Sequence, residues 1–376
     1  MASLALAGIA YLLAIREFFR GRGPIRLRSG QLRATPDVPR RIVVVGLVLA
    51  AVWHAEFLRL PPGADDDIHR YVWDGRLQRL GYNPYLVVPG DPAAKGLHTP
   101  ETRNLNNPDL PSPYPPGAQL FFRAVTAIHE SAFALKVAFV VCEFTIVVVL
   151  LDILRRTGKG AHLVLAFAWN PLLAIEVAGS GHIDIVGALL VVVSAAALAA
   201  AVVGLLYVPF LNHGHIPIGS LGTYVQSFRF NGPVFAALGR VAPPQLLAGL
   251  AVLAGLATAT WLRRRGAACE LSPDAFAWDL FIWPMAASLL FAPVVFPWYL
   301  LWLLPFLTSA STLLIIVWTV SIIPVYVQWH LRALGRPWGA LPGWAMLVEY
   351  GCVAIAAAIV WLRRSKEPEH ADARSD

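Results

Sequence analysis

The run Ile42 to Leu60, IVVVGLVLAAVWHAEFLRL, is followed directly by Pro61 to Tyr85, PPGADDDIHRYVWDGRLQRLGYNPY, and the junction between them decides how the chain is read. The first segment is uncharged until its last turns and long enough to cross about 30 Å of hydrocarbon as a helix. The second opens on three consecutive carboxylates, Asp65, Asp66 and Asp67, which need water or head groups around them. Chemistry is therefore expected at the end of a membrane helix, just outside the bilayer.

The rest of the chain agrees with a membrane setting. Of 376 residues, 57% are hydrophobic and only 14% charged, whereas soluble domains carry about a quarter charged residues. Uncharged runs of membrane-crossing length recur, so the expectation is an all-α polytopic membrane protein. It is read as one multi-pass domain over 1–366, followed by a disordered cytoplasmic tail at 367–376. The net charge of +7 resides largely in arginine clusters beside apolar runs. It reports orientation by the positive-inside rule rather than a nucleic-acid partner, and nothing in the sequence points to DNA or RNA. Cys142, Cys269 and Cys352 have neither disulfide nor metal-ligand spacing. The apolar start, Met1 to Ile15, lacks a basic leader region and is read as a retained first helix.

Arginine bias orients the chain. Between Arg16 and Arg41 there are eight arginines against two acids, Glu17 and Asp37, marking a cytoplasmic loop. The run Ile42 to Leu60 then travels outward, and residues 61–131 form a first extracytoplasmic loop carrying the acidic motif. The chain returns through Ala132 to Leu154 and goes out again through Leu163 to Ala178, so the turn at Gly181-His182 is outside. Later runs at 276–294, 298–307, 313–327 and 344–361 place Pro297-Trp298-Tyr299 and 328–343 outside as well. The run Ile183 to Leu211 breaks the alternation, since the charge rule puts both of its ends on one side. It is too long for one straight crossing, at about 44 Å, and too short for two. It is re-entrant, or one side is misoriented, or residues have been lost from it.

Within the opening stretch, Asp65 is suited to cap a helix, Asp66 and Asp67 to its first turn, and Gly81 to its C-terminal stop. Helical spacing puts Asp67, Arg70, Tyr71 and Asp74 on one face, with apolar residues elsewhere. An amphipathic juxtamembrane helix lying along the membrane surface is expected. Half of this acidity is explained by capping alone. Elsewhere, His182 and Asp184 sit at an outward turn near Glu176, and Arg229 with Asn231 occupies a loop rich in Gly, Pro and aromatics. Arg229 suits a phosphate because its fork matches that group. Asp152 is read as a salt bridge to Arg155 and Arg156, and Glu143 as either an interhelical hydrogen bond or a catalytic group. Trp298, Tyr299 and Trp302 form an interfacial aromatic group that could also stack on sugar.

These residues resemble the polyprenol-phosphate-sugar-dependent glycosyltransferases of the GT-C superfamily. The likeness is greatest to bacterial mannosyltransferases of the glycosyltransferase 87 or alpha-1,6-mannosyltransferase type, and looser to the first mannosyltransferase of GPI-anchor synthesis. It is carried by Asp66, Asp67, Arg70, Tyr71, Asp74 and Gly75, then by Gly81, Asn83, Pro84 and Tyr85, then by Tyr114-Pro115-Pro116. Shorter matches follow at Trp169-Asn170-Pro171, Gly181 to Asp184, Arg229 to Asn231 and Pro297-Trp298-Tyr299. The resemblance implies a GT-C-like transmembrane helix bundle with extracytoplasmic loops, in the cell membrane. It also implies an inverting transfer of a monosaccharide, mannose above all, from a polyprenyl-phosphate donor to an extracytoplasmic glycan or glycolipid acceptor. Asp67 is then the base, with Asp66 as second choice. Arg70, Asp74, Asn83, Tyr85, Tyr114, His182, Asp184, Arg229 and Asn231 are expected around donor and acceptor. Asp65, Asp66 and Asp67 are the residues that would hold a divalent cation, Mg or Mn, if one is used. Membrane lipids are the remaining partner. A sugar-lipid transporter or flippase without transferase chemistry is the alternative, although it would place polar groups near the midplane rather than in outer loops.

Overall fold

The computed structural model describes residues 2–19, 38–62, 67–193, 208–211, 219–268, 279–307, 313–339 and 341–364. The expected Asp65 cap, Asp66, Cys269, the tail 367–376 and residues 194–207 of the puzzling run lie outside them. Among the described residues the chain is helical and contains no strand beyond one isolated bridge, Phe230 with Val294. Five helices are long and apolar enough to cross a membrane, Arg40–Arg59, Ala132–Arg156, Pro244–Arg264, Leu313–Ala333 and Gly343–Leu362. A sixth span results if the bent pair Ala161–Ala168 and Leu173–Ser180 counts as one. The all-α polytopic architecture is therefore present.

Helix α1 (Ala2–Phe19) packs inward, with Tyr11 Oη donating to the carbonyl of Ala166 at 2.6 Å. Helix α2 (Arg40–Arg59) leaves Val44, Val45, Val48 and Leu49 about half exposed, the pattern of a helix with one face toward lipid. Helix α3 (Asp67–Arg79) leads into the loop layer, α4 (Pro116–Ile128) closes that layer, and α5 (Ala132–Arg156) crosses back. Ser131 caps α5 by accepting from the Ala134 amide at 3.1 Å, and Arg155 and Arg156 at its other end pair with Asp152, as the sequence suggested.

After α5 the helices become short. Helix α6 (Leu165–Ala168) ends at Asn170-Pro171, because proline cannot supply the next helical hydrogen bond. The chain bends by 58° and resumes as a π-helical segment, Leu173–Ser180, before α7 (Asp184–Val193). The run 298–307, expected from its apolarity to be an ordinary crossing, is instead 3-10 helical over Pro297–Trp302 and Leu304–Phe306. Its Leu300, Leu301, Leu303, Leu304 and Leu307 are fully buried in the middle of the bundle.

One end of the bundle gathers the polar elements. Lys136, at the start of α5, donates to the carbonyls of Phe57, Leu58 and Leu60 at 2.8 to 3.2 Å and so caps the C-terminal end of α2. Gly81, at φ 86°, ends α3 in a left-handed turn in which Tyr82 N donates to Leu77 O and Gly81 N to Gln78 O. Gly75 lies against the Phe122 carbonyl, where a Cβ would come within 2.6 Å, so α3 and α4 approach backbone to backbone. Helix α3 differs from the sequence reading in one respect: it is not a surface amphipath. Loop residues fold over its outer side, stacking His98 on Trp73 at 4.1 Å and enclosing Leu77 with Ala94 and Leu105.

Candidate active site

Asp67 is the first residue of α3 and half-buried, and Asn106 Nδ2 donates to its Oδ1 at 2.6 Å. One turn further on, Arg70 and Asp74 form a buried ion pair at 3.2 Å, with side chains 3% and 0% exposed. Arg70 also donates to the carbonyls of Leu110 at 2.7 Å and Asn107 at 3.5 Å. Asp74 accepts from Ser112 Oγ and from Gln119 Nε2 at 2.8 Å, and Gln78 extends the network to Gln119. Burial pushes the Asp74 carboxyl up from its ordinary range, against the pull of Arg70, Ser112 and Gln119. Arg70 is thus paired with Asp74 on its own helix and also holds the loop turn at 107–110 in place.

The second half of the site is the turn after the π-helical segment. Gly181, at φ 82°, packs against Ile68 of α3 so closely that a Cβ would collide with its side chain. The turn is held from behind by Glu176, whose carbonyl accepts from the amides of both Gly181 and His182. The Glu176 carboxylate also lies 2.8 Å from His182 Nδ1, with both side chains almost wholly buried. Two residues on, Asp184 Oδ1 accepts from Trp302 Nε1 at 2.7 Å. Asp184 opens α7, outside the candidate spans, and burial pushes its carboxyl up to about 6, with Trp302 and His182 opposing and the charge of Asp67 adding to the rise. The fold thus brings Asp67 and Asp184 within electrostatic reach of one another.

Asp184 lines a cleft of about 560 Å³ whose remaining walls are mostly apolar, among them Val252, Leu256, Met285 and Trp302. The cleft runs between the helices Pro244–Ala268 and Asp279–Leu290 and the buried 3-10 segment. From His182 a column of stacked rings continues across the same end of the bundle. His182 lies on Trp298 at 4.0 Å, Trp298 on Phe296 at 4.4 Å, and Phe296 on Phe230 at 4.8 Å. Phe230 carries Trp338 at 5.4 Å. His182 is thus linked through stacked rings to Phe230, the chain neighbour of Arg229.

The remaining expected residues serve mainly to hold loops. Asn83 turns the backbone by accepting from Tyr85 N at 3.0 Å and donates to Phe210 O, and Tyr85 Oη donates to the Tyr114 carbonyl at 2.5 Å. Tyr114 packs edge-on against Tyr71 and Phe122. Arg229 donates to the carbonyls of Phe228 and Gln226 and lies over the Phe235 ring at 4.8 Å. Asn231, in a left-handed conformation at φ 53°, donates to Glu349 at 2.8 Å and to Val295 O. Asn231 is 5% exposed. Trp298 has rings stacked against it from two neighbours, His182 and Phe296. Asp65 and Asp66 lie outside the described residues, and among the described residues no three His, Cys, Asp or Glu side chains gather around a metal-sized point.

Two residues of the site were not legible in advance, Asn106 and the Asp184-binding Trp302. The first is an ordinary loop asparagine, and the second reads as interfacial belt.

With this geometry in place, comparison with known proteins is decisive at the level of family. A family model described as alpha-(1->6)-mannopyranosyltransferase, N-terminal domain, matches residues 4–211, more than half of the chain. The chain belongs to this family. The mannosyltransferase match takes in both halves of the site, from the acidic stretch through Glu176, His182 and Asp184. Membership makes the chain a hexosyltransferase of mannosyltransferase type, acting with a sugar donor and a glycan acceptor. No curated protein and no solved structure matches it.

Proposed function

We propose that the chain is an inverting mannosyltransferase that takes mannose from a polyprenyl-phosphate donor and places it on an extracytoplasmic glycan or glycolipid. The observation that carries this reading is the mostly apolar cleft between helices with Asp184 in its wall. A cleft between membrane helices with an aspartate in its wall suits a substrate with an isoprenoid tail and a polar head. A nucleotide sugar would need a polar pocket instead. The arginine-rich segment before α2 supports an outward orientation for this end in the plasma membrane, with 1–366 as one multi-pass domain.

In the reaction the acceptor hydroxyl attacks the anomeric carbon from the face opposite the phosphate. A new carbon–oxygen bond forms as the bond to the phosphate oxygen breaks, and the polyprenyl phosphate leaves with the electron pair. Asp67 takes the hydroxyl proton. Because the leaving phosphate is already a stable anion, no protonated acid is required, and one base suffices. His182, Asp184 and Trp302 shape the donor side of the site, and the clamped loop on α3 shapes the acceptor side.

Purified protein in lipid nanodiscs, supplied with polyprenyl-phosphate mannose and a mannoside acceptor, tests the proposal. The expected result is transfer with inversion, abolished in Asp67→Asn. Transfer from GDP-mannose alone, or full activity of Asp67→Asn, overturns it. Turnover lost with EDTA and restored by Mn2+ would assign a divalent cation to the acidic stretch, and unchanged turnover would assign none.

A further inference from the structure

Asp67 begins α3, its carboxylate accepts from the side-chain amide of Asn106 at 2.6 Å, and the loop bearing that asparagine is held on both sides. Before it, Leu105 is 6% exposed in a small apolar cluster with Trp73, Leu77 and Ala94. After it, Asn107 adopts a left-handed conformation at φ 45°, a geometry asparagine tolerates better than most residues, and a turn closes as Leu110 N donates to Asn107 O at 3.1 Å. Arg70 grips this turn through the carbonyls of both Asn107 and Leu110. Arg70 is in turn fixed by the buried carboxylate of Asp74.

The chain of contacts runs from Asp74 to Arg70, to the turn 107–110, to Asn106 and back to Asp67, about two turns of helix from where it started. A closed circuit of this kind is more than a loop anchor needs, since Leu105 and the Arg70 bonds already hold the loop. Its remaining product is the placement of one amide against one carboxylate. We propose that Asn106 is a positioning residue for transfer, fixing the rotation of the Asp67 carboxylate so that it faces the acceptor hydroxyl. The buried Arg70–Asp74 pair presents Asn106 to it. This inference rests on the reading of Asp67 as the base. Its chemical reason is that a base must meet the reacting hydroxyl in line, and a misplacement of about 1 Å costs about 100-fold in rate.

The test uses the full-length protein in nanodiscs with polyprenyl-phosphate mannose, measuring kcat and the KM of each substrate. Asn106→Ala is expected to lower kcat by about 10- to 100-fold with both KM values within about twofold of wild type. Asn106→Asp keeps the shape but removes the donor and adds a like charge, and is expected to lose at least as much. Asn107→Val, which disfavours the left-handed turn while leaving Asn106 in the chain, is expected to show the same kcat-specific loss. An unchanged kcat in a folded Asn106→Ala or Asn106→Asp protein overturns the proposal, as does a defect confined to KM. Asp67→Asn separates the two readings. If it retains transfer, the base assignment fails; if it is inactive while the Asn106 variants turn over normally, only the positioning role fails.

Discussion

His54 Nε2 of α2 stands 2.9 Å from Glu143 Oε1 of α5, and each side chain is 1% exposed. The histidine is oriented from its other side, where Nδ1 lies 2.7 Å from the Ala50 carbonyl. Two polar residues within candidate membrane spans thus face each other across the helix–helix contact, and Glu143 has a structural partner rather than a substrate.

Removing one member leaves the other buried and uncompensated. Glu143→Ala should therefore destabilise the protein by about 3–5 kcal/mol, read as a fall in thermal midpoint in detergent. The double variant His54→Leu with Glu143→Leu should recover much of that loss. Equal stability of Glu143→Ala and wild type would contradict the pairing.

Arg70→Ala strands the Asp74 carboxylate and the carbonyls of Asn107 and Leu110, and should cost about 3–5 kcal/mol. Protease cleavage within 104–112 should accelerate alongside it. The Asp74 carboxyl is raised on folding above its ordinary value of 3.8, so its contribution to stability is fully present below that value and is lost as pH rises through the folded pKa. Asp74→Asn should flatten that decline, measured as thermal midpoint against pH.

If Asp184 works as a carboxylate, transfer should fall as pH drops through about 6, where this carboxyl takes up its proton. Trp302→Phe removes a hydrogen bond that favours the ionised form, so the acid limb of kcat should move to higher pH. A limb that stays in place would exclude Asp184 from the titration.

Trp298 is 5% exposed, with His182 at 4.0 Å on one side and Phe296 at 4.4 Å as its other stacking partner. Trp298→Ala should act through packing, lowering stability by about 3–5 kcal/mol. Donor and acceptor KM should change little at a temperature where the variant is folded. A large rise in acceptor KM with full stability would mean that the ring meets sugar after all.

How much of this could be read beforehand depended on the range of the interaction. The Asp152 pairs with Arg155 and Arg156 were legible because three- and four-residue spacing on a helix brings side chains together wherever the helix lies. The left-handed stop at Gly81 was legible for the same reason. The Arg70–Asp74 pairing followed from spacing too, yet its contacts with residues 107 to 112 did not, because nothing local reveals that this loop closes over it. Helix α3 was misread as a surface amphipath on the same ground. Asn106 carried no signal, since a loop asparagine gains meaning only from what it touches.

The sequence by itself determined the membrane class and the positions of the principal helices. Apolar length, charge bias and caps are properties of contiguous residues, and the bilayer reads them one segment at a time. Only the tertiary structure decided which polar groups hold loops, as Arg70, Asp74 and Asn231 do, and which residues partner the carboxylates, as Asn106 does Asp67 and Trp302 does Asp184. Hydrogen bonds discriminate over tenths of an ångström between groups far apart in the chain, so their pairing follows from how helices and loops pack rather than from the order of residues.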